Sequence, residues 1–189
     1  MLEGKTVDLR VAERDDLDFM VDCINNIDFW GEYNPIDGWY EGQLSKSELT
    51  KILDDPSGMA ILIEFRRFII QKKDGTKIGF IAHFLNQPYK LMEIAYNIVA
   101  DERGKGYGSE ATQLIVDYLF LSKSIDRIQA TTNVWNKPSQ RVLEKVGFKN
   151  EGTIRKLQIV RGVWTDYQLY SILREEWKEP KTLMREVSK

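Results

Sequence analysis

The sequence holds one cysteine, Cys23, and one histidine, His83, in 189 residues. A lone cysteine forbids an intrachain disulfide and any cysteine-rich metal site. A lone imidazole is too few for a histidine-based zinc or iron centre, so no metal is expected. Long apolar runs are missing as well. The longest, Met59 to Ile63, is far short of the ~20 residues a membrane span needs. The opening MLEGKTVDLR lacks the apolar segment of a secretory signal. These absences lead to the expectation of a cytoplasmic protein with no membrane partner. Positive charge is not in surplus either, with 27 Lys and Arg against 29 Asp and Glu. Proteins that live on a nucleic-acid backbone carry a basic excess, so no nucleic-acid partner is expected. Neither an internal repeat nor a low-complexity linker divides the chain, and residues 1–189 read as a single domain.

What is present is a soluble, globular balance of 42% apolar and 30% charged residues. A first strand fits Thr6 to Val11. Leu17, Met20, Val21 and Ile24 then recur at helical spacing, which predicts a helix from Asp15 to Asn26. An aromatic-rich loop runs from Phe29 to Tyr40. Ser45, with Glu48 three residues on, opens a second helix as a capping box. The period next changes to two, predicting strands over Phe65–Gln71, Lys77–Phe84 and Leu91–Val99. Asp74-Gly75 joins the first pair as a tight hairpin. A strong helix over Ser109–Leu121, a strand over Arg127–Asn133 and a short helix over Pro138–Val146 follow. The last stretch, Thr153 to Leu173, reads as a long hairpin turning near Arg161-Gly162. The order is roughly βααβββαβαββ. It describes a mixed α/β (α+β) domain, with one mostly antiparallel sheet of about seven strands and helices on both faces.

The most informative residues are Asp101-Glu-Arg103-Gly104-Lys105-Gly106-Tyr107-Gly108-Ser109-Glu110, between a strand and a helix. Successive N–H groups there can converge on a phosphate, because glycine lets the backbone come close. The helix start adds unpaired donors and a positive dipole end, and Arg103 and Lys105 add charge. A P-loop needs a lysine followed by Ser or Thr in a Gly-x-x-x-x-Gly-Lys frame, which is absent. A dinucleotide fingerprint needs Gly-x-Gly-x-x-Gly within a βαβ unit, whereas the spacing here is Gly-x-Gly-x-Gly. A pyrophosphate cradle for coenzyme A and a plain glycine-rich turn are the readings left standing.

Arg103-x-x-Gly106-x-Gly108 resembles the acetyl-CoA-binding motif of the GNAT N-acetyltransferase superfamily. Asn133-Val-Trp-Asn136-Lys-Pro-Ser139-Gln-Arg-Val-Leu143-Glu-Lys-Val-Gly147-Phe148 resembles its second block. Val7-Asp-Leu-Arg10, Glu151-Gly152, the turn Gly162-Val-Trp164-Thr-Asp166 and the end Tyr170-Ser-Ile-Leu-Arg-Glu-Glu-Trp177 look like the ribosomal-protein-alanine acetyltransferase (RimJ/RimL-like) branch. The resemblance implies an enzyme that passes an acetyl group from acetyl-CoA, without metal, directly to a primary amine. A protein N-terminal α-amine is the first such acceptor. A polyamine, an aminoglycoside or another small amine is the alternative, and a catalytically silent acyl-CoA-binding module is a further one. Monomer and homodimer are both compatible with it.

By the same resemblance, the pyrophosphate lies on the amides of Arg103, Gly104, Lys105, Gly106, Tyr107, Gly108 and Ser109. The pantetheine runs along Glu93–Val99, which splays from Arg127–Asn133 in the middle of the sheet. The backbone near Ile98 and Val99 meets the thioester, and Asn136 bonds the pantetheine amide or acts as a helix N-cap. Many members carry a tyrosine four residues before the Gly-Phe of the second block as the thiolate's acid. Leu143 stands there, and Ser139 becomes the candidate acid, with a solvated first-turn residue as its ordinary reading. Glu93 is the candidate base; the ordinary reading is a surface glutamate, and the rival base is His83. Cys23 reads as a small buried hydrophobe. For the acceptor, the aromatics Trp30, Tyr33 and Trp39, interleaved with acids, suit a cationic amine, with self-packing of the loop as the alternative. Trp164 and Asp166 form a second candidate wall or simply pack the hairpin. Arg66-Arg67 and Lys72-Lys73 read as solvated strand charges.

Overall fold

In a computed structural model, the structure describes residues 1–33, 45–54, 62–86 and 91–181. The strands are β1 (Leu2–Glu3), β2 (Val7–Val11), β3 (Leu62–Lys72), β4 (Lys77–Asn86), β5 (Leu91–Ile98), β6 (Arg127–Asn133), β7 (Lys149–Val160) and β8 (Val163–Leu173). The helices are α1 (Leu17–Ile24), α2 (Ile27–Trp30), α3 (Lys46–Asp54), α4 (Tyr107–Ser122) and α5 (Lys137–Val146). All eight strands form one sheet in the order β1-β2-β3-β4-β5-β6-β8-β7. The strand beyond the expected seven is the two-residue β1, too short to leave a periodic signal. The short helix α2, at the head of the aromatic segment read as loop, is likewise a single turn, capped by Asn26 accepting from the Asp28 N–H. The Ser45–Glu48 capping box forms at the head of α3.

Every neighbouring pair is antiparallel except β5–β6, which is parallel. That pair is joined by α4, because a parallel connection needs a crossover. The two strands pair only at Met92↔Ile128 and Glu93↔Gln129. On their outer edges β5 stays paired with β4 as far as Gly79↔Ile98, and β6 stays paired with β8 as far as Asn133↔Tyr167. Beyond Glu93 and Gln129 the sheet therefore opens into a wedge while each side stays anchored. Gly79 makes the anchoring tight: a Cβ there would run into the Asn97 carbonyl and the Ile98 Cα.

The register assigns the faces. Phe80, Ala82 and Phe84 stand opposite Asn97, Ala95 and Glu93, while Ile81 and His83 stand opposite Tyr96 and Ile94. The first face packs Phe80 and Ile69 against Leu17, Met20, Cys23, Ile24, Phe29, Trp30 and Leu49 of α1–α3. The second packs Phe68, Ile81 and Ile94 against Ala111, Leu114, Ile115 and Leu119 of α4 and Leu143 and Val146 of α5. At the 3.6-residue spacing, α1 buries Leu17, Met20 and Ile24, and α4 buries Ala111, Leu114, Ile115 and Leu119. Among the described residues no helix is long and apolar enough to cross a membrane.

Candidate active site

The glycine-rich turn closes the wedge at the end of β5. Gly104 and Gly106 have φ of 76° and 91°, the left-handed region that L side chains avoid, and at both positions the space beside Cα is open. Gly106 is the N-cap of α4. The Ser109 and Glu110 amides turn inward to the Gly106 carbonyl, and the Arg103 amide to Ala100. Among the described residues the amides from Gly104 to Gly108 have no backbone acceptor. Five consecutive donors at a helix N-terminus, with nothing crowding the two glycines, fit a diphosphate. The expected cradle thus loses the amides of its two end residues, Arg103 and Ser109.

The Arg103 side chain also departs from the expectation. Its Nε donates to the Ile98 carbonyl (2.9 Å), and its Nη2 donates to the carbonyls of Asp28 (2.9 Å) and Phe29 (2.6 Å). The guanidinium staples α2 to the end of β5 instead of facing a phosphate, and burial lowers its pKa. Lys105 pairs with Glu102 (2.8 Å), which also holds Lys72 (3.2 Å).

The β5 backbone lines one wall of the wedge. The Val99 N–H donates to the Ile78 carbonyl at 2.8 Å, so Val99 is spent on the sheet. Antiparallel pairs alternate, which turns the amides of Ile98 and Tyr96 toward the gap, past the last β5–β6 pair at Glu93↔Gln129. These can accept an extended amide-bearing ligand as an added strand.

The other wall ends at the start of α5. Asn136 is its N-cap, and Asn136 Oδ1 accepts from the Ser139 N–H at 3.2 Å. The cap leaves the Asn136 Nδ2 group without a partner among the described residues, so it is available to a ligand. The Ser139 hydroxyl lies 3.0 Å from the Tyr96 hydroxyl, which is also 3.3 Å from the Ser139 carbonyl. Burial raises the Tyr96 pKa, and the bond to Ser139 opposes that only in part. Leu143 is buried in the core and supplies no hydroxyl. Tyr96 was visible in the sequence only as one member of an apolar strand face.

Glu93 sits at the vertex of the wedge, on the α1–α3 face and 8% exposed. Gln129 Nε2 donates to its Oε2 (3.2 Å) and Thr131 Oγ1 to its Oε1 (3.5 Å). It is therefore a buried carboxylate in a polar setting and not a surface glutamate. Asn133, two residues beyond Thr131, donates to the Tyr33 carbonyl at 3.0 Å and so bridges the segment after α2 to the end of β6. Tyr167 lies opposite Asn133 in the ladder and is buried, which raises its phenol pKa. Gln129, Thr131 and Tyr167 are not singled out by the sequence; strand alternation on β6 places the first two on the face of Glu93.

The acceptor wall expected from aromatics is mostly redistributed. Trp30 is a core residue, its indole donating to the Ile24 carbonyl at 2.6 Å. Tyr33 is half-buried at the bridge, and Trp39 lies outside the described residues, as do Asp37, Tyr40 and Glu41. Trp164 is 57% exposed on β8. Asp166 is structural: its Oδ1 accepts from the Lys156 N–H at 2.8 Å and steadies a bulge in β7. His83 is fully buried on the α4 face between Phe68 and Tyr118, across the sheet from Glu93, so it is no rival base. Arg67 is not solvated; it is 7% exposed, with its guanidinium 5.3 Å from the Phe80 ring centre.

The profile of the acetyltransferase (GNAT) domain matches residues 7–149. The chain belongs to the GNAT acetyltransferase family. It is 33% identical over 184 residues to the probable N-acetyltransferase YjcK of Bacillus subtilis, covering 93% of this chain and 98% of that one. It is 30% identical over 107 residues to the ribosomal protein uS5-alanine N-acetyltransferase of Escherichia coli, covering 55% of each chain. The fold is shared with spermidine N-acetyltransferase from Vibrio cholerae, solved with CoA and spermine, at a TM-score of 0.76 and 24% identity over 90% of this chain and 97% of that one. This GNAT chain is thus an N-acetyltransferase with acetyl-CoA as its co-substrate. The open wedge, the five donor amides and the free edge of β5 are the features of its own structure that fit that thioester. Among the described residues no three metal-binding side chains gather.

Proposed function

We propose that this acetyltransferase modifies a primary amine presented on the α1–α3 face of the wedge, with a protein N-terminal α-amine as the acceptor. The observation that carries the reading is Glu93: a buried carboxylate at the vertex, where the free edge of β5 begins, ringed by amide and hydroxyl side chains. The two side chains that donate to it, Gln129 and Thr131, are neutral. One carboxylate that accepts from an amide and a hydroxyl suits a single amine followed by peptide groups. A polyamine, with several cationic centres, calls for several acids. An α-amine, with a pKa near 8, is also partly neutral at pH 7, whereas a side-chain amine near 10.4 is not. The uS5-alanine acetyltransferase among the relatives supports the same class of acceptor.

In this reading the amides of Gly104 to Gly108 grip the diphosphate, and the β5 edge and Asn136 align the pantetheine. The Ile98 N–H meets the carbonyl oxygen as charge develops on it. Glu93 binds the amine and takes its proton, directly or through water. The nitrogen lone pair forms the new C–N bond. The C–S bond then breaks with its pair going to sulfur, and Ser139 donates to that sulfur. The proton lost by the amine balances the one that the thiol finally carries. Alignment itself supplies much of the rate, since effective molarities of well-oriented groups reach about 10⁵ M or more.

The test is thiol release from acetyl-CoA with alanine- and serine-terminated peptides, spermidine and an aminoglycoside. Peptides should be turned over with the highest kcat/KM. Preference for spermidine would replace the peptide reading by the polyamine one, and no release with any amine would leave a silent thioester binder. Glu93→Gln should lower kcat about 10²-fold with little change in acetyl-CoA affinity. An undiminished rate would remove Glu93 from the mechanism.

A further inference from the structure

A departing thiolate needs a hydrogen bond donor, and Ser139 can donate only where its single O–H proton points. That direction is set by the neighbours of Oγ. Here the neighbour is the Tyr96 hydroxyl, 3.0 Å away. Two arrangements are possible. In one, Tyr96 donates to Oγ and the Ser139 proton is turned away from the tyrosine into the wedge. In the other, Tyr96 donates to the Ser139 carbonyl, 3.3 Å away, and Ser139 spends its proton on the phenol. The distances favour the first. So does helix geometry, because the Ser139 carbonyl faces along α5 toward the Leu143 amide four residues on.

We propose that the Tyr96 hydroxyl, by donating to Ser139 Oγ, is the positioning group that aims the Ser139 proton at the departing sulfur of coenzyme A. The proposal rests on the assignment of Ser139 above and adds a residue to it. Tyr96 spans the site: its backbone amide faces the wedge from β5, and its ring passes beneath the start of α4 beside Gly108, close enough that a Cβ there would lie 3.9 Å from the ring. Cofactor cradle and proton donor are in this way held by one side chain. Burial keeps the phenol protonated through neutral and mildly alkaline pH, so the donor role persists across the range in which an α-amine becomes nucleophilic. No proton need leave Tyr96 for good. It polarises the serine, and the proton that ends on sulfur is balanced by the one the amine gives up.

The test is a double-mutant cycle of Tyr96→Phe and Ser139→Ala, read by thiol release with the amine the wild-type protein turns over fastest and by calorimetric affinity for acetyl-CoA. Phenylalanine keeps the ring, and thermal melting checks the fold. The expected result is a kcat about 10-fold lower for Tyr96→Phe, acetyl-CoA affinity within about twofold, and no further loss when Tyr96→Phe is added to Ser139→Ala. Replacing Tyr96 by difluorotyrosine, a more acidic phenol of nearly the same shape, should move the alkaline limb of the kcat profile to lower pH. A packing role would leave that limb in place. Wild-type kcat in Tyr96→Phe, or losses that multiply in the double variant, would overturn the proposal. Absence of turnover by the wild-type protein with every amine would instead sink the acceptor reading, and this proposal with it.

Discussion

Arg103 donates to three main-chain carbonyls on two elements, which ties its role to the fold. A guanidinium committed in that way is costly to remove. Arg103→Met should destabilise the protein by about 2–3 kcal/mol in urea unfolding, because half-buried carbonyls lose a charged donor, while affinity for coenzyme A stays within about twofold. Strong loss of coenzyme A affinity at unchanged stability would return Arg103 to the phosphate. Cys23 illustrates the opposite case, a potentially reactive group silenced by its setting. Burial, with a smaller push from Asp22, moves its thiol up to about 12. Native protein should therefore resist alkylation at pH 8 and react fully in denaturant, as thiol titration would show. Cys23 was legible from the sequence as a small core residue. The role of Arg103 was not, because its three partners are carbonyls, which any residue carries.

At the scale of elements, Asp16 links three segments. Its buried carboxylate accepts from Arg10 of β2 (2.8 and 2.9 Å), pairs with Lys77 of β4 (2.8 Å) and takes the Glu13 N–H (2.8 Å). Burial by itself would raise its pKa, but the bonds from Arg10, Lys77 and the Glu13 amide together hold it far below the usual carboxylate range. A depressed folded pKa means that the stabilisation is complete above the unfolded value, near 3.9, and is lost as pH falls below it. Unfolding free energy should drop from about pH 4 downward, and Asp16→Asn should flatten that part of the curve while lowering stability at pH 7. Urea unfolding between pH 2 and pH 7 checks both. Glu93 belongs to the same scale. Its face was readable from strand alternation, but its burial depends on β6 lying alongside for two residue pairs and then leaving.

Across the whole molecule, coenzyme A bound in the wedge as proposed would become part of the fold. The proposed contacts add to the Tyr96–Ser139 bond in joining the start of α4, the edge of β5 and the start of α5, and they span the gap between β5 and β6. A ligand that binds only the folded state stabilises it by about 2.7 kcal/mol at 100 times its dissociation constant. For a chain of this size the melting temperature should then rise by about 5–10 °C. Adenosine 3′,5′-bisphosphate, which lacks both diphosphate and pantetheine, should give a much smaller shift. Equal shifts from the two ligands would place binding energy outside the wedge.

Local pattern was enough to locate most strands and helices, the glycine-rich turn and the Asn136–Ser139 helix start, because period, capping and backbone permissiveness are encoded within a few neighbouring residues. It was also enough to mark Glu93 as one carboxylate on a half-apolar strand. Contacts between distant segments were beyond its reach: Tyr96 meeting Ser139, Asn133 reaching Tyr33, Arg103 folding back on α2, Trp30 turning into the core and Asp166 steadying a bulge. Each depends on which strand lies beside which and on where β5 and β6 part. Pairing of that kind is a property of the assembled sheet, since the hydrogen-bonding groups that would close or open the wedge are the same in every residue of both strands.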